Sequence, residues 1–209
     1  MHIIKLIIKL RINYFLSKII NKITNSRYFL LNYIDNNSIG AEVGVWKGDF
    51  SKMILMQKKV QKYILIDSYK FQPEFKMRWY GGRIAKSQQD MDRLFFNVKN
   101  DIEKYPKGET ETVFFRMDSS EASSHIDNDY LDFVYIDGNH SFEYVQSDLH
   151  SYYPKVKVGG YIILDDWNWR DESGVKSIRA AVTSYISKNY SKMVIVEIKN
   201  KQVVLLKVS

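Results

Sequence analysis

The sequence predicts an α/β fold: a doubly wound, mostly parallel sheet with helices on both faces, closed at the C-terminus by an antiparallel hairpin. Three observations carry that prediction. Short β-rich runs (SIGAEV, KYILID, ETVFFRMD, LDFVYID, GYIILDD) alternate with helix-length amphipathic stretches such as SKMILMQKK, the rhythm of a parallel sheet covered on both sides. Several runs end in an acid, so the acids gather along the carboxyl edge, where open α/β sheets bind ligands. KMVIVEI and KQVVLLKV meet around Lys199-Asn200-Lys201 and read as two strands joined tightly, the antiparallel edge of a mixed sheet.

The chain of 209 residues, 45% hydrophobic and 14% aromatic, is long enough for one domain with a sizeable core. It contains no cysteine, which excludes disulfides, thiolate zinc sites and cysteine nucleophiles and suits a reducing compartment. The net charge is +7, but six basic side chains (Lys5, Lys9, Arg11, Lys18, Lys22, Arg27) against Asp35 alone place +5 of it in residues 1–36. The rest holds 25 basic and 23 acidic side chains, so no nucleic-acid partner is expected for the main domain.

Two units follow: an N-terminal basic appendage, residues 1–36, and one α/β domain, residues 37–209. The appendage is rich in Ile and Leu, yet Lys5, Lys9 and Arg11 interrupt it too early for a membrane-spanning helix of about 20 apolar residues. It shows no signal-peptide cleavage site, and a cytoplasmic location is expected. Polar residues at Lys5, Lys9, Asn13, Ser17, Asn21 and Asn25 trace a slowly drifting helical stripe. A basic helix lying peripherally on an anionic bilayer and a helix packed on its own domain or a second subunit both fit that stripe.

Along the domain, AEVGVWKGDFS (41–51) places Gly44 and Gly48 between a strand and a helix, where backbone amides can approach a ligand. The spacing is neither a dinucleotide fingerprint nor a phosphate-binding loop, and Glu42 would repel a pyrophosphate. A positively charged ligand suits it better. Asp67 ends the next strand, 23 residues beyond Gly44, where an acid can accept both ribose hydroxyls. Asp118 ends another beside Ser119. Singly each could cap a helix; together they mark a nucleoside site. Between them, residues 68–105 form a long loop or lid, FQPEFKMRWYGGR with Gly81-Gly82 as its flexible point, and a helix from about Gln88.

YIDGNH (135–140) ends a buried strand in Asp137 with His140 three residues on, and GYIILDDW ends the neighbouring one in Asp165-Asp166. Three carboxylates without a thiolate suit Mg²⁺ or another hard divalent cation. Asp165 and Asp166 can differ in role, one on the metal and one holding the loop. His140 can remove a proton from an acceptor hydroxyl, or merely cap the helix opening near Ser141. Such a metal is unnecessary for carbon or nitrogen acceptors, so a hydroxyl of high pKa is expected. Trp167, Trp169, Trp79 and Tyr80 are candidates for a wall stacking on a sugar ring, or are simply packed.

EVGVWKGDFS, Asp67, Asp118 and IDGNHSFEYVQSDLHSYYPKVKVGGYIILDDW together resemble the class I S-adenosylmethionine-dependent methyltransferases, and within them the macrocin-type sugar O-methyltransferases of the family 24-like branch, over residues 38–170. The resemblance implies a Rossmann-like sheet of seven strands. It implies Glu42, Gly44 and Gly48 around the methionine part of the cofactor, Asp67 on the ribose, and Asp118 with Ser119 near the adenine. It also implies Asp137, Asp165 and Asp166 around Mg²⁺ and His140 as base. The expected function is a metal-dependent O-methyltransferase acting on a sugar or glycan precursor in polysaccharide biosynthesis. The alternatives are a metal-independent methyltransferase for a small molecule or RNA, and a non-catalytic scaffold. A homo-oligomer is compatible with either appendage reading.

Overall fold

The computed structural model describes residues 26–104, 108–189 and 192–209. The chain runs β1 (Ile39–Val43), α1 (Asp49–Gln57), β2 (Lys62–Ile66), α2 (Gln88–Lys104), β3 (Glu111–Phe115), α3 (Ser119–Ser123), β4 (Leu131–Ile136), α4 (Phe142–Tyr152), β5 (Val156–Leu164), α5 (Ser177–Lys188), β6 (Met193–Lys199) and β7 (Gln202–Lys207). The strands form one sheet in the order β3-β2-β1-β4-β5-β7-β6, with β1 to β5 parallel and β7 antiparallel to both of its neighbours. The seven-strand mixed sheet with a terminal hairpin is therefore as expected.

Alternation along β4 shows why both faces are covered. Val134 and Ile136 point into a core with Val145, Leu149 and Tyr152 of α4 and Ile178, Ala181 and Val182 of α5. Phe133 and Tyr135 point the other way, among Phe50, Met53 and Ile54 of α1 and Val98 and Ile102 of α2. The central strands are apolar on both sides because each side meets a helix. At the hairpin tip Asn200 and Lys201 both have positive φ, 49° and 75°, as a two-residue turn matching the strand twist requires.

The part of the appendage described here does not stand apart. Tyr28–Tyr33 is a 3-10 turn whose Leu30 and Leu31, followed by Ile34, are buried in the same core as Phe133 and Tyr135. Tyr33 Oη donates to Glu197 at 2.5 Å, and the Asn200 side-chain amide donates to the Ser26 carbonyl at 2.9 Å. Among the described residues, packing on the domain is already present at Ser26, within the segment 1–36. Residues 1–25, which carry most of the expected basic helix, lie outside the described residues. Among the described residues no helix is long and apolar enough to cross a membrane.

The loop after β2 carries one short element before α2. Trp79–Arg83 forms a π-helical turn, and a Cβ on Gly81 would lie 1.9 Å from the Phe75 carbonyl oxygen. Gly81 is thus a close-packing position that lets the loop fold on itself, with the Gln72 amide donating to the Tyr80 carbonyl at 3.0 Å.

Candidate active site at the carboxyl edge of the sheet

The backbone ladder continues one residue past several strands and sets the acids in a row. Asp67 N donates to Phe115 O at 3.2 Å, Asp137 N to Val43 O at 2.8 Å, and Asp165 N to Ile136 O at 3.1 Å. These acids hang from the carboxyl edge across β2, β4 and β5. The strand order reverses between β1 and β4, the switch point where such sheets open a crevice.

At that point Gly44 has φ 88°, and a Cβ there would lie 2.2 Å from the Asp137 carbonyl oxygen. Its bareness lets β1 and β4 close on one another, a reason beyond the ligand approach expected from sequence. Gly48 closes the following turn through its amide to Val45 O at 2.7 Å and starts α1. Glu42 lies beneath this loop, fully buried, and accepts from Ser51 Oγ at 2.6 Å and Tyr63 Oη at 2.8 Å. Burial pushes its pKa up to about 8 against those two donors.

The Asp67 carboxylate accepts the backbone amides of Trp46 at 2.9 Å and Tyr69 at 2.8 Å. Burial raises its pKa all the same. Asp118 is exposed at the start of α3 and lines a groove of about 380 Å³ with Ser68, Lys70, Gln88, Arg116, Met117 and Glu121. Ser119 donates its hydroxyl to buried Asp148 at 2.5 Å, and its carbonyl accepts from Tyr152 Oη at 2.7 Å. Burial raises the Asp148 pKa to about 6.

The metal-type acids separate into two environments. Asp137, His140 and Asp166 each offer a ligand atom, and these atoms lie within 4.8 Å of one another. His140 Nε2 is 3.4 Å from Asp137 Oδ1 and its Nδ1 is 3.8 Å from Asp166 Oδ2. Asp165 turns away and is buried. It accepts from Tyr135 Oη at 2.7 Å, Gln202 Nε2 at 2.6 Å, the Asp166 amide at 2.7 Å and the Arg27 guanidinium. The cause of the divergence is local: Asp166 takes a left-handed φ of 53°, while Trp167 N is drawn to Lys201 O at 2.7 Å. Burial opposes ionisation of both Asp137 and Asp165. In Asp165 the guanidinium, hydroxyl and amide donors win and hold the pKa low; in Asp137 burial and the Asp165 charge win and raise it.

The aromatic residues do not make one wall. Trp167 is buried in the core, and Tyr80 packs edge-on against Phe75. Trp79 lies against Trp46 at 5.7 Å, whereas Trp169 stands edge-on to His140 at 5.3 Å with the Arg78 guanidinium 4.7 Å above it. Arg78 thereby joins the loop after β2 to the loop after β5 beside His140. Sequence reasoning missed Arg27, Arg78, Tyr135, Asp148 and Gln202, whose roles depend on contacts distant in the chain. His125 and His150 contact Phe115 and Tyr185.

The acid set fits a hard divalent cation, since it offers carboxylate oxygens and one imidazole in a chain without thiolates. Comparisons bear on the cofactor. In solved structures, the O-methyltransferase NovP is 20% identical with a TM-score of 0.59, covering 92% of this chain and 80% of its own. A Streptococcus mutans putative methyltransferase bound to S-adenosylhomocysteine is 11% identical with a TM-score of 0.57, covering 89% and 97%. A Clostridium thermocellum putative rRNA-methylase reaches a TM-score of 0.62 at 9% identity, covering 90% and 97%. These likenesses show the fold. An uncharacterized protein of Acanthamoeba polyphaga mimivirus is 25% identical over 130 residues, 60% of this chain; the match spans half the length of that relative. Residues 41–167 match the methyltransferase domain of family 24, and the chain belongs to that family of S-adenosylmethionine-dependent methyltransferases.

Proposed function

We propose that the protein transfers a methyl group from S-adenosylmethionine to a hydroxyl oxygen of a sugar or glycan precursor, with a divalent cation such as Mg²⁺ held by Asp137 and Asp166 and with His140 as the base. The observation that carries this proposal is the grouping of Asp137, His140 and Asp166 at the switch point beside the glycine loop. Asp165 acts from behind, holding the Asp166 amide and the Tyr135 hydroxyl rather than offering free oxygens.

The side chains divide the work. Glu42 supports the loop carrying Gly44 and Gly48 around the methionine part. Asp67 orders the Trp46 and Tyr69 amides and keeps lone pairs for the ribose, and Ser119, fixed by Asp148, lies with Asp118 toward the adenine. A divalent cation supplies Lewis acidity that makes an acceptor hydroxyl easier to deprotonate. His140 takes that proton, and its ring is held between the two carboxylates and the edge of Trp169. The oxygen forms a bond to the methyl carbon as the carbon–sulfur bond breaks, and the sulfonium leaves as a neutral thioether.

Calorimetry with S-adenosylmethionine, with and without Mg²⁺, combined with transfer assays on free and nucleotide-linked sugars, tests the proposal. Asp137→Ala should abolish transfer and His140→Ala should lower it at least about 10²-fold while cofactor binding survives. Turnover near the wild-type rate in both variants, or turnover that EDTA leaves untouched, would defeat it.

A further inference from the structure

Arg27 brings a cation into this acidic site from outside the family-matched residues 41–167. Its Nη2 lies 3.1 Å from Asp137 Oδ2 and also donates to Asp165 Oδ2, and its guanidinium carbon stands 5.7 Å from the Tyr135 ring centre. The anchor is the 3-10 turn that begins immediately after it. Leu30 N donates to Arg27 O at 3.0 Å, Leu30 and Leu31 are buried, and the preceding Ser26 carbonyl is held by Asn200.

Two consequences follow from that placement. The Asp137 carboxylate is split, with Oδ2 given to Arg27 and Oδ1 facing His140. The charge is also trimmed: Asp137, Asp165 and Asp166 carry three negative charges, and Arg27 cancels one. The remaining charge of minus two balances the plus two of one divalent cation. A guanidinium so close also repels such a cation and tempers its affinity.

We propose that Arg27 is a positioning residue that serves as the internal counter-ion of Asp165, orients Asp137, and sets the site to take one divalent cation with moderated affinity. This rests on the metal site proposed above.

The test is Mn²⁺ binding by the full chain, followed by calorimetry and by the electron paramagnetic resonance signal of free Mn²⁺. Arg27→Met should tighten binding about tenfold or more, because the repelling charge is gone. Arg27→Lys should stay near wild type. Asp165→Asn, which leaves Asp137 as the guanidinium's remaining charged partner and removes one negative charge from the site, should weaken binding about tenfold. The double variant should return toward wild type, since the two charges cancel. If Arg27→Met does not fold, Asp165→Asn and Arg27→Lys still decide the matter. Wild-type binding that Arg27→Met leaves unchanged or weakens, or that Asp165→Asn leaves unchanged or tightens, overturns the role of Arg27 alone. A wild type indistinguishable from Asp166→Asn, with neither binding Mn²⁺, overturns the metal site and Arg27's role with it.

Discussion

Asp165 and Asp166 are neighbours in the chain, but their carboxylates serve opposite sides of the strand end. Asp165 is buried under donors from Tyr135, Gln202 and Arg27, and Asp166 faces His140. Substitutions should separate them. Asp165→Ala leaves three neutral donors without their acceptor and takes one of Arg27's two carboxylate partners away, and should cost about 3 kcal/mol of stability. Asp166→Ala removes a partly buried carboxylate with no donor to satisfy among the described residues, at a left-handed φ that alanine tolerates no better than aspartate; it should cost about 1 kcal/mol, yet abolish transfer. Urea melts and a methyl-transfer assay check the pair; equal losses of stability would contradict the division.

His140 should behave as a base and not as a cap. The side-chain cap of α4 is Ser141, whose hydroxyl accepts the Tyr144 amide, so His140 is not needed to start that helix. His140→Ala should therefore leave the melting temperature nearly unchanged and lower kcat about 10² to 10⁴-fold. The KM for S-adenosylmethionine should hold. A fall in melting temperature matching the fall in kcat would instead make His140 structural.

The N-terminal segment should matter to stability through Leu30, Leu31 and Ile34. A chain starting at Asn37 loses Leu30, Leu31 and Ile34 from the core, and Leu30→Ala alone should cost about 3 kcal/mol. A chain starting at Ser26 keeps all three and Arg27, and should melt well above the chain starting at Asn37. The chain starting at Ser26 is the control for a bilayer role of residues 1–25: anionic liposomes should pellet the full chain in preference to it, and equal pelleting removes the membrane reading.

The contrast between residues shows what the sequence could disclose. The sheet was legible because apolar runs such as LDFVYI face helices on both sides, and because the acid ending each run stays at the edge whatever the loops do. The hairpin was legible from its two-residue turn. What separates Asp165 from Asp166 is the φ of one residue and donors from β4 and β7, neither of which leaves a local pattern. Arg27 was counted only as appendage charge because its partners lie 110 and 138 residues away. Trp167 was grouped with Trp169 because two residues' separation in a loop does not tell which ring turns inward.

Glu42 should make stability fall as pH rises. Burial lifts its pKa from 4.5 to about 8, so the folded chain keeps a proton that the unfolded chain releases above about 4.5. The unfolded state then binds fewer protons, and this contribution to stability is fully present below pH 4.5, declines up to pH 8 and is flat beyond. Asp148, raised by burial to about 6, has the same sign, so the wild-type slope alone does not isolate Glu42. The comparison with Glu42→Gln does, because glutamine can accept from Ser51 and Tyr63 without titrating. Between pH 5 and pH 8 the variant should gain in melting temperature relative to wild type, and the gain should level off above that. Parallel curves across the range would mean that Glu42 is already ionised in the folded protein, as a carboxylate meeting the sulfonium end of the cofactor in water would be.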